Sequence, residues 1–393
     1  MTVVSSKQTV GLLNYLSRHK TNMVEQLTSL VTAESPSHVP ESQIPVQELL
    51  RNLLQDSDFR VRHISGTNTG GHLLAVPKWH TTGQPIQLLL GHCDTVWPLG
   101  TLEEMPVEIR EGRLHGPGVY DMKAGLIQSI FAVQAIRDVG ITPQIAPVIF
   151  INSDEEIGSP ESSSHIQQLA VRADRTFVME PSLGPEGKLK TARKGVGRFV
   201  IRVIGRAAHA GLSPEEGISA ILELSHVIQK LFALNDPERG ITVNVGTIDG
   251  GLRPNVIAPE SSAQVDVRVA THLDAENIEK EIHSIEPVTA GIRLDISGRF
   301  GRPPMERTPG NQKLWQLAQE AADELGLQID EGAAGGGSDG NSTSLMTPTL
   351  DGLGAVGGGA HALTEFIYID QMIERAALLA RMMLHSPLKE SST

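Results

Sequence analysis

"PVIFINSDEEIGS", residues 147–159, joins a run of apolar residues to three consecutive acids, Asp154, Glu155 and Glu156. The apolar part, Pro147-Val148-Ile149-Phe150-Ile151, reads as a short buried strand. Like charges repel, so the end of a buried strand is a costly place for three carboxylates. Two readings meet that cost: a solvated acidic turn, or a site that holds positive charge. The rest of the chain decides between them, because the arrangement recurs. The run "IQLLLG" (86–91) is followed by His92, Cys93 and Asp94, and "TFVM" (176–179) is followed by Glu180. "GPGVYDMKAG" (116–125) presents Asp121 ahead of a helix, and "LDGLGAVGGGA" (350–360) leads to His361.

The elements around these runs point to a fold class. Residues 122–138 carry apolar side chains at helical spacing, as do 21–33 and 45–55, and a hairpin fits 59–76. Strands at 85–91, 147–152 and 176–179 alternate with helices, which predicts an α/β domain whose sheet is largely parallel and covered on both faces. From about 195 the texture changes. "GRFVIRVIG" (197–205) alternates apolar and polar residues, followed by a helix at 217–233, strands at 241–248 and 262–270, a helix at 273–284 and a strand at 291–298. This β-α-β-β-α-β order is that of a ferredoxin-like α+β unit. From 305 the chain returns to helical patterns at 310–325 and 370–386. The expected organisation is a first domain in two parts, 1–194 and 305–393, with 195–304 inserted between them. In an open α/β sheet, functional groups gather beyond the carboxyl ends of the strands. His92, Asp94, Asp121, Glu155, Glu156, Glu180 and His361 are therefore expected around one crevice.

Bulk composition narrows the class of function. At 393 residues the chain is too long for one ordinary core, which fits two domains. A formal net charge of −13 argues against a nucleic-acid binder, which needs a basic footprint. Cys93 is the one cysteine, so no intramolecular disulfide can form, which fits a reducing compartment. The first 20 residues lack the pattern of a signal peptide, and no apolar run approaches the roughly 20 residues that span a bilayer. The expectation is a cytoplasmic protein with no membrane partner.

Two imidazoles and several carboxylates suit zinc, and also cobalt or manganese. One zinc takes about four ligands. The candidates here are too many for one ion and suit two, which sit roughly 3.5–4 Å apart and can share a carboxylate. Asp121, central in the order and followed by a helix, is the candidate for sharing. In "HCD" (92–94), Asp94 can orient His92 by accepting the proton of its other ring nitrogen, and Cys93 reads as buried filling.

"GHCDTVWP", "GRLHGPGVYDMKAG", "NSDEEIGS", "MEPS", "ARKGVGRFVIRVIGRAAHAG" and "GGGSDGN" occur in that order along the chain. Together they resemble the motifs of the acetylornithine deacetylase / succinyl-diaminopimelate desuccinylase / carboxypeptidase family of dinuclear zinc metallopeptidases. The resemblance runs from about residue 20 to about 387. The bacterial glutamate carboxypeptidase branch is the nearest, through "VGTIDGG", "NVIAP", "VDVR" and "GRPP". It implies a zinc-peptidase-like mixed sheet flanked by helices, with the inserted unit as a dimerisation or lid domain. Asp121 would bridge two zinc ions, His92 and Glu180 would complete one, and Glu156 and His361 the other. Glu155 would be the general base toward metal-bound water, and Asp154 structural. His209, in "RAAHAG", would reach from the partner of a homodimer to stabilise the oxyanion. Asn255 and Arg302 would bind substrate, with Arg299 competing because "GRFGRPP" carries an extra residue. Ala124 stands where many members have glycine. Glu180 matches deacylases and carboxypeptidases, whereas aminopeptidases of the family usually have aspartate there. The implied reaction is hydrolysis of the amide bond of a small peptide or N-acyl amino acid. The alternatives are a deacylase of a small biosynthetic intermediate, or a non-catalytic binding protein on the same fold.

Overall fold

The strand Ala146–Asn152 is buried along its whole length, because it lies inside a six-stranded sheet. The strand order is Phe59–Ile64, His72–Pro77, Ala146–Asn152, Ile86–His92, Ala173–Val178 and Thr349–Leu350. The last four run parallel, whereas His72–Pro77 and Phe59–Ile64 add antiparallel at one edge. The sheet is thus mixed, and the hairpin near 59–76 supplies the antiparallel part. The computed structural model describes residues 5–388.

Hydrophobic burial fixes these strands. Leu88, Leu89 and Leu90 are all within 1% of complete burial. Each such side chain contributes about 1.5–3 kcal/mol relative to its exposed state. Alternate residues face opposite layers: Leu89 joins the main core, while Leu88 and Leu90 join a smaller cluster with Phe150 and Ile166. On the main-core side the helix Ala124–Asp138 is buried almost all round, and the helices Ser6–Arg18 and Ile369–Met383 pack against it. Gly125 is essential to that packing. A Cβ there would lie 2.1 Å from the carbonyl oxygen of Met179, so only a glycine lets the helix start against this strand end.

Three α-helices among the described residues lie outside the sequence expectation, Ser6–Arg18, Ser163–Arg172 and the short Asp339–Thr343. Ser6–Arg18 opens with a capping box between Ser5 and Gln8, a signal readable in "SSKQ" (5–8). Ser163–Arg172 buries only Ile166 and Ala170, too narrow a stripe to stand out by periodicity.

The chain divides into two units, residues 1–191, 307–333 and 338–393 in one, 192–306 and 334–337 in the other. The second unit holds a four-stranded antiparallel sheet ordered Thr242–Gly250, Glu260–Val269, Gly195–Ile204, Arg293–Arg302. The helices Ala220–Phe232 and His272–His283 pack on it around Phe199, Ile201, Val203 and Val227. Its element order is β-α-β-β-α-β, that of the ferredoxin-like unit. Among the described residues, no helix is long and apolar enough to cross a membrane.

Candidate metal centre

Three adjacent parallel strands end at one edge of the sheet and deliver most of the site. Ile86–His92 ends in His92, Ala146–Asn152 runs into the acids at 154–156, and Ala173–Val178 stops two residues before Glu180. Asp121 arrives on the turn before the helix Ala124–Asp138, and His361 on the loop before the strand Phe366–Tyr368. His361 takes a left-handed backbone, φ 59°, which a non-glycine residue adopts only when its surroundings hold it there.

Two groups of potential ligand atoms form, and they share one residue. His92, Asp121 and Glu180 are one; Asp121, Glu156 and His361 are the other. His92 Nε2 lies 3.3 Å from Asp121 Oδ1 and 3.7 Å from Glu180 Oε1. His361 Nε2 lies 3.5 Å from Asp121 Oδ2 and 3.4 Å from Glu156 Oε2. The two oxygens of Asp121 thus face different groups, as a shared carboxylate requires.

Asp94 organises this edge in a way the sequence reading only partly anticipates. His92 Nδ1 donates to the main-chain carbonyl of Asp94 at 2.9 Å, closer than the Asp94 carboxylate at 3.4 Å. That bond keeps a proton on Nδ1 and turns Nε2 toward Asp121. The Asp94 carboxylate has other duties. It accepts the Ser37 hydroxyl at 2.6 Å and the N–H groups of Glu155 and Glu156, each at 3.2 Å. Asp94 therefore fixes the backbone of both glutamates while their side chains project elsewhere.

The three acids of the opening stretch separate by environment. Asp154 is fully buried and accepts the N–H groups of Glu161 and Ser162 at 2.7 and 3.0 Å, which closes the loop behind the site. Glu156 Oε1 is buried with no hydrogen-bond partner. A buried carboxylate oxygen with nothing to accept is the signature expected where a cation binds. Glu155 is half-buried, and its negative charge is felt by the His92 ring.

The electrostatics agree with a cation-binding edge. Burial opposes ionisation of Asp121, but hydrogen bonds from His361 and His92 overcome it and hold its carboxyl far below the usual range. Hydrogen bonds to Asp121 and Glu156 push His361 up to about 10. Burial pushes Glu156 upward against the pull of His361. With the two rings alone as counter-charge, the acids draw protons onto the imidazoles. Divalent ions supply that charge more fully, and the donor set of imidazole nitrogen and carboxylate oxygen fits zinc, cobalt or manganese.

The remaining predicted residues lie in the second unit. His209 is exposed, and its Nδ1 accepts the N–H groups of Gly211 and Leu212 at 3.1 and 3.2 Å. The ring proton therefore sits on Nε2. Asn255 lies beside it, since the Asn255 carbonyl accepts the Ala210 N–H at 3.0 Å. Arg299 and Arg302 share the strand Arg293–Arg302, on either side of a register break between Phe300 and Arg302. Cys93 is buried in the main core, and burial pushes its thiol up to about 12, the state of an inert filler. Gly335 and Gly336 face open space, whereas Ser338 caps the helix Asp339–Thr343 and Asp339 accepts from Asn152 at 2.8 Å.

Sequence reasoning missed Ser37, Trp97 and Glu365. Glu365 is fully buried four residues beyond His361, and it accepts from the Trp97 indole and from three main-chain N–H groups at 118–121. Burial pushes its carboxyl up to about 7 against the pull of those donors.

Comparison with known proteins fits this geometry. Residues 88–385 match the model of peptidase family M20/M25/M40, and the chain belongs to that family of metal-dependent hydrolases, whose members are generally dinuclear. The chain is 26% identical to carboxypeptidase G2 of Pseudomonas sp. (strain RS-16), over 98% of its own length and 94% of that protein. It is 30% identical to acetylornithine deacetylase of Proteus mirabilis, over 72% of its length and 76% of the relative. The structure of aminopeptidase PepT from Bacillus cereus shares the fold, with a TM-score of 0.79 at 21% identity, covering 93% of this chain and 98% of that one.

Proposed function

We propose that this M20 metallohydrolase is a carboxypeptidase-like exopeptidase. It releases a C-terminal, glutamate-like residue from small peptides or N-acyl amino acids. The observation that carries the reading is the pair of ligand groups meeting at Asp121, with Glu155 next in the chain to the ligand Glu156. Similarity to carboxypeptidase G2 across nearly both full lengths supports the substrate class. Glu180, where an aminopeptidase of the resembled family would usually carry aspartate, points the same way.

His92 and Glu180 would hold one ion, Glu156 and His361 the other, and Asp121 both. Two zinc ions bound there, replaceable by cobalt or manganese, would supply Lewis-acid polarisation of the scissile carbonyl and a more acidic water. Glu155, its backbone fixed by Asp94, takes a proton from the attacking water and returns it to the departing amine. His209 of the partner subunit donates from Nε2 to the developing oxyanion, a role that fits the acceptor state of its Nδ1. Asn255 and Arg302 bind the substrate, and an arginine suits its free carboxylate. The enzyme works as a homodimer in the cytoplasm.

The similarity to acetylornithine deacetylase favours a second reading, a deacylase of a small biosynthetic intermediate. Amine release from a panel separates the two. Zinc- or cobalt-loaded protein is offered acyl- and peptidyl-glutamates, other dipeptides, acetylornithine and succinyl-diaminopimelate, with and without chelator. Chelator-sensitive release of glutamate is the expected result. Release confined to acetylornithine or succinyl-diaminopimelate would replace the carboxypeptidase by the deacylase.

A further inference from the structure

Glu365 meets four N–H donors with two oxygens and has no exposed surface. Its Oε1 accepts the main-chain N–H of Tyr120 at 2.8 Å and of Asp121 at 3.0 Å. Its Oε2 accepts the main-chain N–H of Gly118 at 3.0 Å and the Trp97 indole N–H at 2.9 Å. Three of these donors belong to the turn that carries Asp121. Gly118 in that turn has φ 72°, and a Cβ on it would lie 2.4 Å from Thr95 Cγ2, so the turn has little freedom to settle elsewhere. Glu365 also belongs to the segment that carries His361. One carboxylate thus ties the chain segment of a ligand of one group to the backbone of the acid both groups share.

We propose that Glu365 is a positioning residue for the metal centre: by gathering the N–H groups of the 118–121 turn it holds Asp121 where its two oxygens can serve two ions. The proposal rests on Asp121 being the shared ligand. Chemistry explains why a carboxylate stands here. Both of its oxygens only accept, so each can face two donors. An amide of the same shape offers one oxygen and one NH2, and the NH2 would point at two N–H groups. Either the Tyr120–Asp121 pair or the Gly118–Trp97 pair then loses its acceptor. Residues that orient ligands commonly change metal affinity 10–100-fold when replaced.

The test uses the full chain, with Glu365→Gln, Glu365→Asp and Asp121→Asn beside wild type. Metal-free proteins, checked for native fold by circular dichroism, are titrated with Zn2+ by calorimetry and with Co2+ by its visible absorption. The cobalt bands report coordination geometry, which a purely stabilising role for Glu365 would leave unchanged. Expected is a folded Glu365→Gln that binds about 10–100-fold more weakly, with altered cobalt bands. Glu365→Asp, which keeps both acceptors but withdraws them by one methylene, is expected to fall between. A folded Glu365→Gln with wild-type affinity and spectrum overturns the proposal. Should Glu365→Gln not fold, Glu365→Asp decides by the same criteria. Failure of wild type to bind two ions, or retention of both by Asp121→Asn, overturns the ligand assignment itself and the proposal with it.

Discussion

At the scale of single residues, the three neighbouring acids 154–156 show how one chemistry is divided by environment. Asp154 spends its charge on main-chain N–H groups, Glu156 keeps a buried oxygen unpartnered, and Glu155 is anchored through its own N–H by Asp94. The proposed proton carrier is therefore separable from the proposed ligand beside it. Glu155→Gln is expected to lower kcat by about 10²–10⁴-fold, the usual contribution of a general base, while metal content by elemental analysis stays at the wild-type value. Loss of metal from the variant would make Glu155 a ligand and remove it from proton transfer. Glu155 and Glu156 were legible in the sequence because acids at the end of an apolar strand are improbable without a purpose. Ser37 and Glu365 were not. Ser37 reaches Asp94 across 57 positions and Glu365 reaches Tyr120 across 245, separations at which local pattern carries no information.

At the scale of elements, close packing positions the candidate ligands as much as hydrogen bonding does. Gly125→Ala would force a methyl against the Met179 carbonyl, one residue before Glu180. We expect a loss of about 1–3 kcal/mol in denaturant unfolding, the usual cost of overpacking, and weaker metal binding as Glu180 shifts. Unchanged stability and affinity would show that the helix start yields freely. The glycine required here stands at 125, so Ala124 at the first helical position costs nothing visible. A second element-level tie lies in the helical layer. Glu324 accepts a two-pronged contact from Arg381, both bonds 2.6 Å, and a bond from Thr9 at 3.1 Å, linking the helices Pro309–Leu325, Ile369–Met383 and Ser6–Arg18. Its bond to Arg381 holds its carboxyl below the ordinary glutamate range despite partial burial. A depressed carboxylate contributes stability above the unfolded-state pKa and loses it as pH falls through the folded one. Glu324→Gln is therefore expected to lower Tm at pH 7, and the difference should shrink as pH falls below the ordinary glutamate value of about 4.3 and vanish beneath the depressed folded-state one. Because the Glu324 side chain is 40% exposed, solvent screening keeps the effect to about 1 kcal/mol. A difference that persists in acid would place the effect in packing.

At the scale of the whole molecule, the proposed chemistry needs two chains. All the candidate ligands and Glu155 belong to one unit, and His209 belongs to the other. If His209 serves the partner's site, then Glu155→Gln and His209→Asn chains, each inactive alone, complement one another. Random re-pairing of equal amounts gives a two-fold dimer population in which half the dimers hold one complete site, or about a quarter of wild-type activity. No recovery after dissociation and mixing would place His209 outside the partner's chemistry.

The sequence by itself determined the class. Its apolar runs dictated strands, its acids and histidines marked their carboxyl ends, and its motifs in order specified a family whose model spans residues 88–385. These are local signals, carried by burial and charge within a few positions. Tertiary structure alone decided which oxygens of Asp121 face which histidine, that the Asp94 carboxylate serves the glutamate backbone more than the imidazole, and that Glu365 gathers the turn behind Asp121. Each of those facts is a hydrogen bond or an approach within 4 Å between segments far apart in the chain. Such contacts depend on strand order and loop closure, which no stretch of residues encodes alone.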